Sequence, residues 1–243
     1  MKTNRDWDCF AGESEHSSLP VCTPKRMSLS IGLVVLCAWL PASAQLTQVT
    51  LVLNSGQQHL IRNDYDGTPS EMSLANVISN QVPPGSQFIR FDSGTQAYLP
   101  TITQDRYGSW GPGGTTVLSR GVAYWLCIPP QGGLVSNSSY EVTLSGTIPS
   151  AATTVVASTN YNAMGYPYPV DCIWSNTALA VASPNGSVVY FWNSEYTTFY
   201  TGQKSTKGTG WPPAVGGTLE AGLGFFLKSA GADAVSVVER LPY

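Results

Sequence analysis

The chain has 243 residues and a formal net charge of −3, with 42% hydrophobic and 11% charged side chains. So sparse a charge, with no basic stripe, argues against a nucleic-acid partner. The abundance of Gly, Ser, Thr, Val and aromatics excludes a disordered chain and points to an extracellular β protein.

Lys25-Arg26 precede Met27, an apolar run covers residues 29–40, and Pro41-Ala42-Ser43-Ala44 follows. A basic segment, an apolar segment and an A-x-A-like site predict a secretory leader over residues 1–44, its core at 27–44, cut after Ala44. The first 26 residues are either an over-long basic region or an upstream start that is not used; Asp6, Asp8, Glu13 and Glu15 favour the second. The run is too short for a membrane anchor, and Leu36 before Cys37 does not suit lipidation. The expected product is secreted, extracellular or periplasmic, with no membrane span after cleavage. From Gln45 it has 199 residues, eight Lys/Arg and eleven Asp/Glu.

Residues 46–53 alternate into a β-branched run and predict a strand, continued at 58–61 after the turn at Asn54-Ser55-Gly56. Residues 62–70 form a loop, and 71–79 are the one helix candidate. Residues 87–91 and 96–103 predict a hairpin around Asp92-Ser93-Gly94. Trp110 and Pro112-Gly113-Gly114 follow, then the apolar strand 122–128 and a closing strand at 140–144. The order then starts again. Strands are predicted at 153–158, 161–164, 188–192, 197–202, 223–227 and 234–238, with Trp211 between the hairpin and the last apolar run.

Shifting the chain by 101 residues lays 85–126 on 186–227 without a gap. Eight of those 42 positions are identical, among them Gly85/Gly186, Trp110/Trp211, Gly121/Gly222 and Leu126/Leu227. Phe91/Trp192, Tyr98/Phe199, Tyr124/Phe225 and Trp125/Phe226 trade like for like. A tandem duplication follows, with β repeats at 45–149 and 150–243. The predicted fold is all-β: two pseudo-symmetric antiparallel units, each a sandwich or a partly open barrel. Gly121 and Gly222 stand where the backbone needs φ > 0 or close approach. Trp125 and Phe226 put a second large ring on strands that already carry Tyr124 and Phe225, so those strands are central or leave a ring exposed. Trp110, Trp211 and these residues are expected to form the repeated core.

Asn160-Tyr161-Asn162-Ala163-Met164-Gly165, Val189-Tyr190-Phe191-Trp192-Asn193 and Ala221-Gly222-Leu223-Gly224-Phe225-Phe226-Leu227 carry a resemblance. They resemble the opening strand, hairpin and final strand of duplicated secreted β domains of unknown function in Verrucomicrobia, Planctomycetes and related bacteria. Gly165-Tyr166-Pro167-Tyr168-Pro169 is similar to an Asn-Pro-Tyr-Pro loop of large bacterial surface proteins. The first repeat departs from the pattern, with Arg62-Asn63-Asp64-Tyr65-Asp66 where a glycine and prolines belong. The resemblance implies an exported β module and brings no catalytic residues.

Chemistry is thinly supplied. His59 is the one histidine after the leader, and it aligns with Asn162, which suggests a structural polar position rather than a triad member. No nucleophile elbow is present. Zinc would need His59, both remaining cysteines and a carboxylate. Asp92 aligns with Asn193 and reads as a turn residue rather than half of a catalytic pair. Asn63-Asp64-Tyr65-Asp66-Gly67 resembles a fragment of a calcium loop, but Arg62 falls on the first ligand position. No metal, cofactor or catalytic residue is expected. Cys127 and Cys172 either pair, closing a loop of about 44 residues worth roughly 4 kcal/mol, or remain as buried thiols. The tyrosines of loops and hairpin ends, Tyr65, Tyr107, Tyr166, Tyr168, Tyr196 and Tyr200, are the candidate binding residues, because amphipathic rings are common at contact surfaces. The expected function is a secreted, non-enzymatic module for adhesion, envelope association or assembly. The alternative is a carbohydrate-binding module, and the partner either an extracellular glycan or an envelope protein.

Overall fold

Two copies of one antiparallel pattern make up the described residues. The structure, a computed structural model, describes residues 46–130, 138–208, 210–212 and 217–241. The expected leader lies outside the described residues. The first half contains β1 (Leu46–Asn54), β2 (Gln58–Arg62), α1 (Leu74–Val77), β3 (Gln87–Asp92), β4 (Ala97–Tyr98), β5 (Ile102–Thr103), β6 (Ala123–Cys127) and β7 (Ser139–Thr147). The second contains β8 (Thr153–Ala157), β9 (Asn160–Met164), β10 (Cys172–Ile173), α2 (Ala178–Ala182), β11 (Val188–Asn193), β12 (Thr198–Gln203), β13 (Thr218–Leu219), β14 (Phe225–Ser229) and β15 (Val235–Glu239).

Each half pairs its first and last strands into a ribbon, β1 with β7 and β8 with β15. Each then builds a sheet around the strand that follows Gly121 or Gly222. The orders are β2-β6-β3-β4, with β5 also on β3, and β9-β14-β11-β12. All these pairings are antiparallel, and among the described residues no sheet closes into a barrel. The all-β fold of antiparallel sheets agrees with the expected sandwich.

The two halves differ at the outer edge. Residues 96–103 do not form one strand: Pro100 has no N–H to donate and splits the edge into β4 and β5. Thr201 stands at that register in the second half, and β12 runs unbroken. Helix α2 had no signal of periodicity in so short a run. Thr177 caps it by accepting from the Ala180 amide, and the Glu239 carboxylate accepts from the amides of Ala178 and Leu179 at 3.2 and 2.8 Å. Burial raises the Glu239 pKa against those bonds.

The alternation along β6 and β14 explains the layering. Tyr124 and Leu126 face a core shared with the β1–β7 ribbon and α1, through Leu51, Leu53, Val142, Leu144, Leu74 and Ile78. Phe225 and Leu227 face the equivalent core under β8 and α2. Ala123, Trp125 and Phe226 turn the other way, into a third cluster with Leu60 and Ala163. The two sheets therefore pack on each other through their second apolar faces, which is why these strands carry rings on both sides. The layers run ribbon, sheet, sheet, ribbon.

Trp110 and Trp211 occupy matching slots. Their indole N–H groups donate to the Ser79 and Ala180 carbonyls at 3.0 and 2.8 Å, acceptors that are again 101 residues apart. Trp110 is 3% exposed, whereas Trp211 is half-buried, edge-on to Trp174 at 5.2 Å.

The halves also exchange backbone bonds. Gly165 N–H donates to Gly121 O at 3.1 Å, and Arg62 N–H donates to Gly222 O at 2.8 Å. The bridges Val122↔Met164 and Ile61↔Leu223 flank them. Gly121 and Gly222 both have φ +79, which a side chain rarely adopts. The swap is a pseudo-twofold axis seen in hydrogen bonds.

One feature breaks that symmetry. Arg62 stands where the second half has Gly165, and a Cβ on Gly165 would come within 2.5 Å of the Arg62 Cδ. The buried guanidinium meets Asp64 at 2.7 Å (Nε–Oδ1) and reaches Tyr168 O at 3.4 Å. Asp64 Oδ2 accepts from Gly222 N–H at 2.7 Å. Burial pushes the Asp64 carboxyl up to about 7, against the pull of Arg62 and the Gly222 amide.

Candidate binding cleft

The seam between the sheets is capped by a tryptophan at one end and opens into a wider cleft at the other. At the closed end, Gln58 on β2 pairs with Cys127 on β6. Trp192 of the second half covers them: its indole packs edge-on to Trp125 at 4.9 Å and donates to Gln58 O. Ile89 and Cys127 fill in around it.

At the other end every one of these positions has its counterpart. Tyr161 on β9 pairs with Lys228 on β14, matching Gln58 and Cys127. Tyr190 stands for Ile89, and Phe91 for Trp192. Phe91 is smaller than the indole and has no N–H. A cleft of about 650 Å³ opens there, floored by Phe91, Phe199 and Phe226 and walled by Tyr98, Tyr161 and Tyr190, with Gln96, Asn160 and Lys228 at its polar margin.

Local structure fixes these side chains. Phe91 and Tyr98 face each other across the β3–β4 hairpin, rings edge-on at 5.3 Å. Gln96 docks that hairpin on β9: its amide Nε2 donates to Tyr161 O at 2.9 Å, and its Oε1 accepts from Tyr161 N–H at 3.0 Å. A side-chain amide thus completes the backbone of an edge strand. The Tyr161 and Tyr190 rings lie 5.8 Å apart. Burial, then the hydrogen bond with Tyr161, hold the Tyr190 phenol up at about 12. The Lys228 ammonium sits 5.2 Å from the centroid of the Tyr161 ring, a cation–π contact.

The six tyrosines singled out by loop position divide. Tyr65, Tyr166 and Tyr168 are buried, which corrects their reading as surface residues. Their loops fold inward under the ribbons. Tyr166 donates its hydroxyl to Arg240 O, and Tyr168 donates to Glu239 O, both at 2.9 Å. Ring burial with a satisfied hydroxyl is the ordinary fate of such a tyrosine. Tyr107, Tyr196 and Tyr200 are exposed. Tyr107 lies under the Arg106 guanidinium. Tyr200 lines a second cavity of about 340 Å³ with Phe191, Trp192, Asn193 and Glu220. None of the six borders the aromatic cleft, whose tyrosines sit within strands.

The other sequence candidates have local partners. His59 is buried and bonds the Asn54 backbone, its Nε2 accepting from the N–H at 3.1 Å; burial lowers its pKa. Asn162 plays the same part, bonding Ser158 and Leu227. Asp92 accepts from Gly94 N–H and from the Thr95 hydroxyl, bonds that lower its pKa. Of the calcium-like fragment, Asp64 pairs with Arg62, Asp66 pairs with Arg120 at 2.8 Å, and Asn63 donates to the Tyr65 and Leu118 carbonyls. No group of three His, Cys, Asp or Glu that could hold a metal ion is found among the described residues.

The disulfide between Cys127 and Cys172 is not formed, and both thiols are free. Cys127 packs into the seam and Cys172 into the core beyond the second sheet, so β14 and its neighbours lie between them. Burial raises both thiols, Cys172 to about 11. Among the described residues no helix is long and apolar enough to cross a membrane. Set against known proteins, the chain matches no family model, no curated protein and no solved structure.

Proposed function

We propose that the protein is an exported, non-enzymatic module that adheres by holding a saccharide chain in the Tyr98–Tyr161–Tyr190 cleft. The observation that carries this reading is the unequal finish of one duplicated seam. The fold is able to close such an end with Trp192, yet at the equivalent end it places three tyrosines and a lysine around open space. Tyrosine faces stack on the C–H faces of sugar rings while their hydroxyls keep hydrogen bonds to water or ligand. The cleft is open rather than enclosed, which suits a chain passing through more than a small molecule held in a pocket. The general adhesion or assembly role expected from the sequence becomes, on this reading, adhesion through a glycan.

A glycan array tests it. Binding to at least one polysaccharide class should be lost in Tyr161→Ala and in Tyr98→Ala, with each variant's stability within about 0.5 kcal/mol of the parent, as for partly exposed side chains. Binding that survives both substitutions would remove the cleft from consideration.

A further inference from the structure

We infer that the cleft selects a carboxylated sugar chain, a uronic-acid polysaccharide, and that Lys228 is the residue that reads the acid. The inference rests on the saccharide reading above.

Lys228 is the one charged side chain among the residues that line the cleft, and no carboxylate lines it. Among the described residues the ion pairs are those of Arg62 and Arg120, and none of their acids pairs with this ammonium. It is exposed and held over the Tyr161 ring. The charge therefore sits at the rim of an aromatic platform, where a sugar stacked on Tyr161 would bring a ring carboxylate beside it. The fold does not need a lysine there, because Cys127 occupies the matching position under Trp192 at the closed end.

Charge also excludes the denser polyanions. A heavily sulfated chain carries more than one anion per sugar, more than the single cation lining the cleft can meet. One carboxylate per sugar matches one ammonium per site. Lys228 gives specificity for the acid, and the tyrosines give affinity for the ring.

The test uses polygalacturonate and alginate, each beside its methyl ester, with polyglutamate as an acidic chain without sugar rings. Affinities are measured by titration calorimetry for the protein, Lys228→Gln, Lys228→Arg and Tyr161→Ala. The parent should prefer at least one free acid to its ester by roughly two- to fivefold, the size of one exposed ion pair, and the preference should fall with added salt. Lys228→Gln should erase the preference, bringing the affinity for the acid to that for its ester, and Lys228→Arg should restore it. Tyr161→Ala should lose acid and ester alike. Equal binding of acid and ester, or a preference that survives Lys228→Gln, overturns the role of Lys228 while leaving the saccharide reading in place. Polyglutamate bound as tightly as the polysaccharides overturns the sugar class. No binding to any polysaccharide, or binding untouched by Tyr161→Ala, overturns both.

Discussion

At Gln58 the seam between the sheets ends in a tryptophan plug; at Tyr161 it ends in a cleft. The strands around both ends have the same order, and the backbone pairs Gln58↔Cys127 and Tyr161↔Lys228 coincide. The side chains differ, Trp192 against Phe91, Ile89 against Tyr190 and Cys127 against Lys228, and the β4–β5 edge is broken where β12 runs on. The closed end spends its aromatic surface on packing. Indole on indole at 4.9 Å is worth about 0.5–1.5 kcal/mol beyond the buried area. The open end leaves comparable surface facing solvent. A duplicated framework thus stabilises the chain at one site and offers a surface at its twin, because packing at the first makes the second dispensable to the fold.

The comparison is broken most severely at the asymmetric ion pair. Arg62→Ala leaves Asp64 buried without its partner and should cost about 3–5 kcal/mol in urea unfolding. Gly165→Ala should also destabilise on its own, because its methyl meets the Arg62 side chain. In the Arg62→Ala background that second loss should shrink, since the obstructing side chain is gone. Additive losses would show that Arg62 and Gly165 do not share one slot.

The tryptophan slots come next. Trp110→Ala should cost about 3–5 kcal/mol, as for emptying a buried aromatic site. Trp211→Ala should cost less, about 2 kcal/mol, because its ring is partly exposed. Thermal melts that rank the two in the opposite order would contradict the difference in burial.

The paired glycines give a smaller contrast. Gly121→Ala should cost about 1–2 kcal/mol, from the positive φ alone. Gly222→Ala should cost more, because its Cβ would also lie 2.9 Å from Leu51 Cδ2 and 3.1 Å from Val49 Cγ1. Equal losses would mean that the β1 side chains move aside freely.

The smallest expected effect is that of reductant. With Cys127 and Cys172 free, dithiothreitol should leave the melting temperature unchanged. Since burial lifts both thiols, with Cys172 near 11, alkylation at pH 8 should be slow in the folded protein and complete on unfolding. A shift of several degrees on reduction would restore the bridge.

The duplication was legible because it left marks that survive drift. Trp110 and Trp211 each need the same slot and acceptor, and Gly121 and Gly222 each need a left-handed backbone. The strands with rings on both faces left two readings, a central layer or an exposed ring, and the third cluster around Trp125 and Phe226 decides for the first. The cleft was less legible. Tyr98, Tyr161 and Tyr190 lie in strands, where alternation says which residues share a face but not whether another sheet covers it. The trades of isoleucine for tyrosine at 89 and 190 and of cysteine for lysine at 127 and 228 do not stand out, because unlike trades such as Arg90/Phe191 are common along the register. Tyr65, Tyr166 and Tyr168 misled for the opposite reason. A loop tyrosine carries no local signal of whether its loop folds under the sheet, and only tertiary packing decides.

The exchanged backbone bonds at Gly121 and Gly222 make one chain do what two usually do. Two surfaces that bond each other reciprocally across a twofold axis are what a symmetric homodimer presents, and here both surfaces belong to one chain. In a true homodimer a substitution at one end of the seam is repeated at the other, whereas here Trp192 and Phe91 differ within one molecule.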